Sequence, residues 1–203
     1  IVFDPMHVFA GVITDTILKT LMGTRWNPKV SEMEANGING VCRFNHLQTG
    51  GPGQLSPSGL SSFINGLRCV AVGLKGTSDV QRLPRLMDSS KAGKAHTKLL
   101  LAGPIGLYVL ATVRREIGDD VYNAMQRILA AIHLMWSKVH NPSSFPMLRR
   151  LVYEAVCSVE LYMPITARDI KLHELTQICE AKGDWGKSHY FMFTYGVLYD
   201  NEK

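Results

Sequence analysis

Ile1-Val2-Phe3-Asp4-Pro5-Met6-His7 joins two kinds of local structure. Ile1, Val2 and Phe3 are β-branched or aromatic and read as the end of a buried strand. Pro5 then stands where a first helical residue would, since its missing N–H costs nothing there. From Met6 onward the apolar positions Met6, Phe9, Ile13, Ile17 and Leu21 recur at helical spacing. Asp4 is thereby held at a strand-to-helix junction. Two roles are open to it. It is the N-cap of a helix that begins at Pro5, or it is an acid presented for chemistry at a strand end.

Outward from this junction, helical patterns dominate. Met6 to Met22 forms the first helix, closed near Gly23. Residues 24–59 are rich in Gly and Pro, with a short helix expected around Val30 to Asn36 and a flexible linker over Gln48 to Gly59. Leu60 to Val72 reads as a helix capped by Ser58 or Ser61. Ala95 to Glu116 is apolar nearly all round over Leu99 to Val113, as in a central buried helix, and is kinked or restarted at Gly103-Pro104. Val121, Met125, Ile128, Leu129, Ile132 and Trp136 form the stripe of the next helix, capped by Asp119 or Asp120. A further helix starts at Ser144 and ends at Pro164. Asp169 to Lys182 makes the last, stopped by Gly183 and bearing His173 and Glu180. His189 to Tyr199 is aromatic and β-prone. The expected fold is mainly α with short β-strands at both ends. Leu100, Leu107, Leu110, Ile128, Ile132 and Val152 are the expected core.

With 203 residues, 46% of them hydrophobic and 19% charged, the chain can bury a sizeable core. The longest apolar run is broken by Gly103, Pro104 and Gly106 and falls short of the roughly 18 to 20 residues of a membrane span. No secretory signal is read at the amino end, which lacks a basic region. The chain starts at Ile1 without Met and ends at Asn201-Glu202-Lys203, so a piece of a longer protein is expected. Cys42, Cys69, Cys157 and Cys179 are too widely spaced for a zinc knuckle and are expected to be buried reduced thiols in an intracellular protein.

The formal charge is +5, compatible with nucleic acid. Gly73 to Lys98 carries Lys75, Arg82, Arg85, Lys91, Lys94 and Lys98 against Asp79 and Asp88. It has no aromatic residue and so lacks the stacking platforms of a single-strand binder. Contact with backbone phosphates fits it better, and a solvated loop with a helix start is the competing description. Among catalytic patterns, no Gly-rich loop ends in the Gly-Lys-Ser/Thr of a P-loop, and no serine hydrolase elbow is present. Asp4 and Glu202 remain, at opposite ends of the chain. Brought together, two such carboxylates can hold divalent metal that activates water or a hydroxyl for attack on phosphate.

Several segments resemble one protein family in order. Asp4-Pro5-Met6-His7 and the helix containing Gly11-Val12 are similar to the Asp-x-Met-His stretch of CACTA (En/Spm)-type and related eukaryotic cut-and-paste transposases. Leu83-Pro84-Arg85, then Lys91 to Pro104 (KAGKAHTKLLLAGP), resembles their Pro-Arg segment and the helix that follows. Lys171-Leu172-His173-Glu174-Leu175 with Gly183 resembles their histidine-bearing helix, and the aromatic run before Glu202 the approach to their third acid. Departures are Asp169, where a second histidine often stands, and Gly93 and His96, in the region of a tryptophan.

The resemblance implies the C-terminal half of a ribonuclease-H-like Asp-Asp-Glu domain carrying a helical insertion. Residues 1–22 would be the strand and helix with Asp4, 23–98 a loop-rich basic region, 95–182 the insertion and 189–203 the closing strand region. Asp4 would be the second acid and Glu202 the third, both holding Mg²⁺ (or Mn²⁺), with the first acid before Ile1. His7 and His173 would be structural or accessory. DNA would be the substrate and partner, with a homodimer in the transposition complex, no membrane, and a nuclear location. The alternative is a non-catalytic helical DNA- or protein-binding domain derived from such a transposase.

Overall fold

A computed structural model describes residues 4–23, 52–74, 78–87, 94–136, 142–164 and 167–185, with the side chains of the last helix described through Glu180. The first helix has three consecutive parts: α1 (Pro5–Val12), a π-helical stretch (Ile13–Leu18) and α2 (Lys19–Leu21). Backbone angles stay right-handed helical across both junctions, so the three parts run on as one rod. α3 spans Pro57–Gly73, and a 3-10 helix follows over Val80–Met87. α4 (Ala95–Leu99) passes through a 3-10 turn (Leu100–Ala102) into α5 (Pro104–Ile117). α6 (Asp119–Trp136), α7 (Phe145–Tyr162) and α8 (Ile170–Trp185) complete the described chain.

The packing order closes on itself. α1 lies on α8, α8 on α7, α7 on α6, α6 on α5 and α5 on α3. α3 then packs on the 3-10 helix, which touches α4, and α4 returns to α1. One apolar cluster fills the interior, from Phe9, Ile13 and Ile17 to Met125, Ile128, Ile132, Val152 and Leu175. Leu110, Ile128, Ile132 and Val152 are buried as expected, while Leu100 and Leu107 pack half-buried against the cluster. Phe9 meets the Trp136 ring edge-on, with centroids 6.0 Å apart. The helix expected over Ala95 to Glu116 restarts at Gly103-Pro104 with a 69° bend. A Cβ at Gly106 would stand 1.9 Å from the Leu101 carbonyl oxygen, so only glycine allows that turn and α5 to close. Among the described residues no single helix is long and apolar enough to cross a membrane.

The ribonuclease-H-like expectation is overturned. Such a domain needs a β-sheet, and the described residues contain helices and no strand. The physical reason lies in what covers the first helix. Val8, Phe9, Val12 and Ile13 are buried in the apolar cluster, and among the described residues the rod is packed by helices, α4 and α8. The helices within residues 95–182 share one apolar cluster with residues 5–21. The strands expected at Ile1 to Phe3 and His189 to Tyr199, and the short helix at Val30 to Asn36, lie outside the described residues.

Smaller corrections follow the same logic of packing. α3 starts at Pro57, and its cap is Ser56, whose Oγ accepts the Gly59 N–H at 3.1 Å. Leu55, placed in a flexible linker by composition, is buried, and its N–H donates to the Leu21 carbonyl at 2.9 Å. Gly183 lies within α8. Cys69 and Cys157 are exposed, and Cys179 is buried.

Candidate functional site

Two acidic clusters occupy the two halves of the first helical rod. At its head, Asp4 has extended backbone and caps α1, with Oδ1 accepting the Met6 N–H at 3.0 Å. Its Oδ2 meets the Nδ1 of His7, one turn on. Partial burial pushes the Asp4 carboxyl up, but the hydrogen bonds and charge of His7 and the Met6 N–H outweigh it and hold the group below the ordinary carboxylate value. The side chain is 55% exposed. His7 is thus a partner of the cap, as an accessory residue would be.

Mg²⁺ makes specific demands on a donor set. That ion wants oxygen ligands in near-octahedral array. Asp4 has Oδ1 engaged in capping and Oδ2 with His7, and His7 contributes nitrogen. Among the described residues no three His, Cys, Asp or Glu side chains are grouped to hold a metal. The described residues therefore do not fit the cation, and no chemical step is routed through it. Glu202 lies outside the described residues, as do Lys75 and Lys91.

Three turns further along the rod, Asp15 sits in the π-helical stretch and is buried. Its Oδ1 receives the Lys19 Nζ at 2.5 Å and its Oδ2 the Lys171 Nζ at 2.6 Å. Lys171 comes from α8 and reaches the carboxylate by laying its stem across Gly11. A Cβ at Gly11 would stand 2.3 Å from the Lys171 Cδ, so glycine opens the path. Thr16, also in the π stretch, donates to the Ala167 carbonyl at 3.1 Å and ties the approach to α8 against the rod. Burial pushes the Asp15 carboxyl up, and the hydrogen bonds and charges of Lys171 and Lys19 reverse that, leaving it below the ordinary value.

Lys98, on α4, shares this environment. Burial pushes its ammonium down, the Asp15 carboxylate partly restores it, and Lys171 and Lys19 push it down again. The net result is a lysine below its ordinary value.

The basic stretch divides accordingly. In a 3-10 helix residues three apart lie on one face. Val80, Leu83 and Leu86 make the buried face, and Arg82 and Arg85 share a different one. Arg85 is exposed, and Arg82 is half-buried and stands 3.6 Å from the Asp79 carboxylate. Asp79 also accepts from the buried Thr97 hydroxyl at 3.2 Å, fastening the 3-10 helix to α4. Lys94, at the head of α4, is exposed, and Lys98, one turn later, is half-buried. His173 is exposed on α8. Asp15, Lys19 and Lys171 escaped the sequence reading as a site. One signal was there: an i, i+4 Asp–Lys pair inside a helix whose neighbours Ile13, Ile17 and Leu18 are all apolar.

No family model, curated protein or solved structure matches this chain.

Proposed function

We propose that this chain is a helical DNA-backbone-binding module of a transposase-like protein, acting by phosphate contact and not by supplying a complete cutting centre. The observation that carries this is the basic ridge of Arg82, Arg85 and Lys94. Arg82 and Arg85 share one face of the 3-10 helix, and Lys94 heads the helix fastened beside it. Cations held on rigid, adjoining elements meet successive phosphates without ordering a loop first. The overall formal charge of +5 favours the same partner. Such contacts release counterions, so affinity for duplex DNA falls steeply with salt and varies little with sequence.

The test is binding to duplex oligonucleotides of unrelated sequence over a salt series. Changing Arg82, Arg85 and Lys94 together to Ala is expected to lower the slope of log affinity against log salt by about three units. Affinity that does not change with salt in the unaltered protein overturns the reading and favours a protein-binding domain.

A second reading keeps Asp4 as one acid of a metal-dependent phosphodiester-cutting centre in a longer chain, with Glu202 and an upstream acid and Mg²⁺ (or Mn²⁺). The exposure and ionised state of the Asp4 carboxylate favour it. Incubation with supercoiled plasmid and Mg²⁺ or Mn²⁺ distinguishes the two. The module is expected to leave the plasmid intact, and nicking abolished by Asp4→Ala would establish the enzymatic reading.

A further inference from the structure

We infer that the outer face of α3, with the groove between α3 and α5, is a second contact surface for the backbone of duplex DNA, in which Arg68 and Arg115 meet phosphates. This rests on the DNA-binding reading above and carries it to residues away from the 3-10 helix and α4.

α3 and α5 lie side by side and run in opposite directions, with Gly59 against Glu116 and Gly66 against Val109 and Thr112. A Cβ at Gly66 would stand 3.3 Å from the Val109 Cγ1, so the two helices approach closely there. Small side chains, Ser58, Ser62, Ala111 and Thr112, leave a groove of about 420 Å³ along the contact, and Arg115 and Glu116 line it as well.

The charge and the donors of this face suit a phosphate backbone. α3 has no acidic residue, and Arg68 is its only charge. Arg68 is exposed and donates to the Asn65 Oδ1 at 3.2 Å, one bond for a group with five N–H donors. Arg115 is exposed and has neither an ion pair nor a hydrogen bond among the described residues, and the same holds for the Ser62 hydroxyl. Arg114, its neighbour in sequence, is different: Asp119 holds it at 2.7 Å, and it lies over the Tyr122 ring. The one acid of the groove is turned inward. Glu116 accepts the Ser56 N–H with Oε1, and its carboxylate lies against Gly59 in the first turn of α3. Guanidinium, hydroxyl and amide side chains are those that position a protein on DNA through phosphate and sugar, and a guanidinium matches a phosphate with two parallel bonds.

The location makes this face continuous with the ridge. The Gln81 Nε2 donates to the Ala71 carbonyl at 2.8 Å and fixes the 3-10 helix bearing Arg82 and Arg85 to the C-terminal end of α3. From Ser58 to Arg68 the helix rises about 15 Å. At roughly 3.4 Å per phosphate along one strand, that is about four steps of backbone.

In the salt series on duplex DNA, changing Arg68 and Arg115 together to Gln is expected to lower the slope of log affinity against log salt by about two units, and changing both to Lys to restore it. Ser62→Ala is expected to weaken binding about fivefold with the slope unchanged, because a lost hydroxyl contact releases no counterion. Arg150→Gln is the control for net charge, since Arg150 is exposed on α7 and paired with Glu154. It is expected to leave the slope unaltered. Thermal unfolding shows whether each variant is folded. Should the double variant unfold, the unaltered protein answers the question. Phenylglyoxal modifies accessible arginines, and mass spectrometry locates the adducts. Saturating duplex DNA is expected to protect Arg68 and Arg115 at least tenfold and Arg150 not at all. A slope unchanged in a folded double variant, a slope lowered equally per charge by Arg150→Gln, or equal modification with and without DNA overturns the α3 surface while leaving the ridge to its own test. Failure of the unaltered protein to bind duplex DNA removes the ridge and the α3 surface together.

Discussion

Asp4 and Asp15 are the same residue type on one helical rod, eleven positions apart in the sequence, yet they do opposite work. Asp4 is exposed and completes its bonding within its own turn, through the Met6 N–H and His7. Asp15 is buried and is satisfied in part from α8, by a lysine 156 residues further along the chain. Both carboxyls are held below their ordinary value, so ionisation by itself does not tell them apart. What separates them is the range of the interactions. A cap stabilises a helix wherever that helix happens to be, whereas a buried carboxylate clamped from another element is evidence of a specific tertiary arrangement.

The widest gap between the two is expected on deletion. Asp15→Ala leaves Lys19 and Lys171 without the carboxylate that positions them. The cost should be about 3 kcal/mol, the low end for broken buried pairs, because both lysines remain partly in water. Urea denaturation measures it. A loss below about 0.5 kcal/mol, as at surface positions, would make Asp15 no different from Asp4.

Next in size is the acid response. A carboxyl whose folded pKa lies below its unfolded value contributes stability that is present above about pH 4 and lost as pH falls through the folded value. Both acids have this sign, but Asp15 is the more deeply buried and the more strongly coupled to cations. The urea midpoint is therefore expected to fall between about pH 5 and pH 3. In Asp15→Asn that fall should shrink, and in Asp4→Asn it should persist nearly unaltered. If the Asp4 variant flattens the curve more, the assignment of local and tertiary roles is reversed.

The smallest effect belongs to the cap. Asp4→Ala should cost about 1 kcal/mol, and Asp4→Ser should recover most of it, since serine also caps. A larger loss that serine cannot rescue would show that the Asp4 carboxylate has a partner beyond its own turn.

These contrasts follow what a linear reading could reach. The helices of residues 104–162 were legible because their apolar positions recur at helical spacing and their ends carry Pro, Gly and acidic residues. The restart at Gly103-Pro104 was legible for the same reason. Other boundaries shifted: Ser56 was passed over in favour of Ser58, and Gly183, which looked like a stop, lies within α8. Propensity is a weak prior that packing overrides. The larger miss concerned the first rod. Its apolar stripe fits a sheet as well as a helix as its cover, since a stripe records that a face is buried and not what buries it. Buried Leu55, in a segment that composition marks as linker, is another result of tertiary docking.

The sequence by itself determined the helical periods, the Asp4 cap and the net positive charge, because each depends on neighbours within a turn or on composition alone. Only the tertiary structure decided that α4 and α8 pack on the first rod, that Gly11 clears a path for Lys171, and that Lys19 and Lys171 both reach Asp15. The physical reason is distance along the chain. Local hydrogen bonds and periodicity are written in adjacent residues, whereas a charge cluster drawn from positions 15, 19 and 171 exists only once the apolar faces between them have packed.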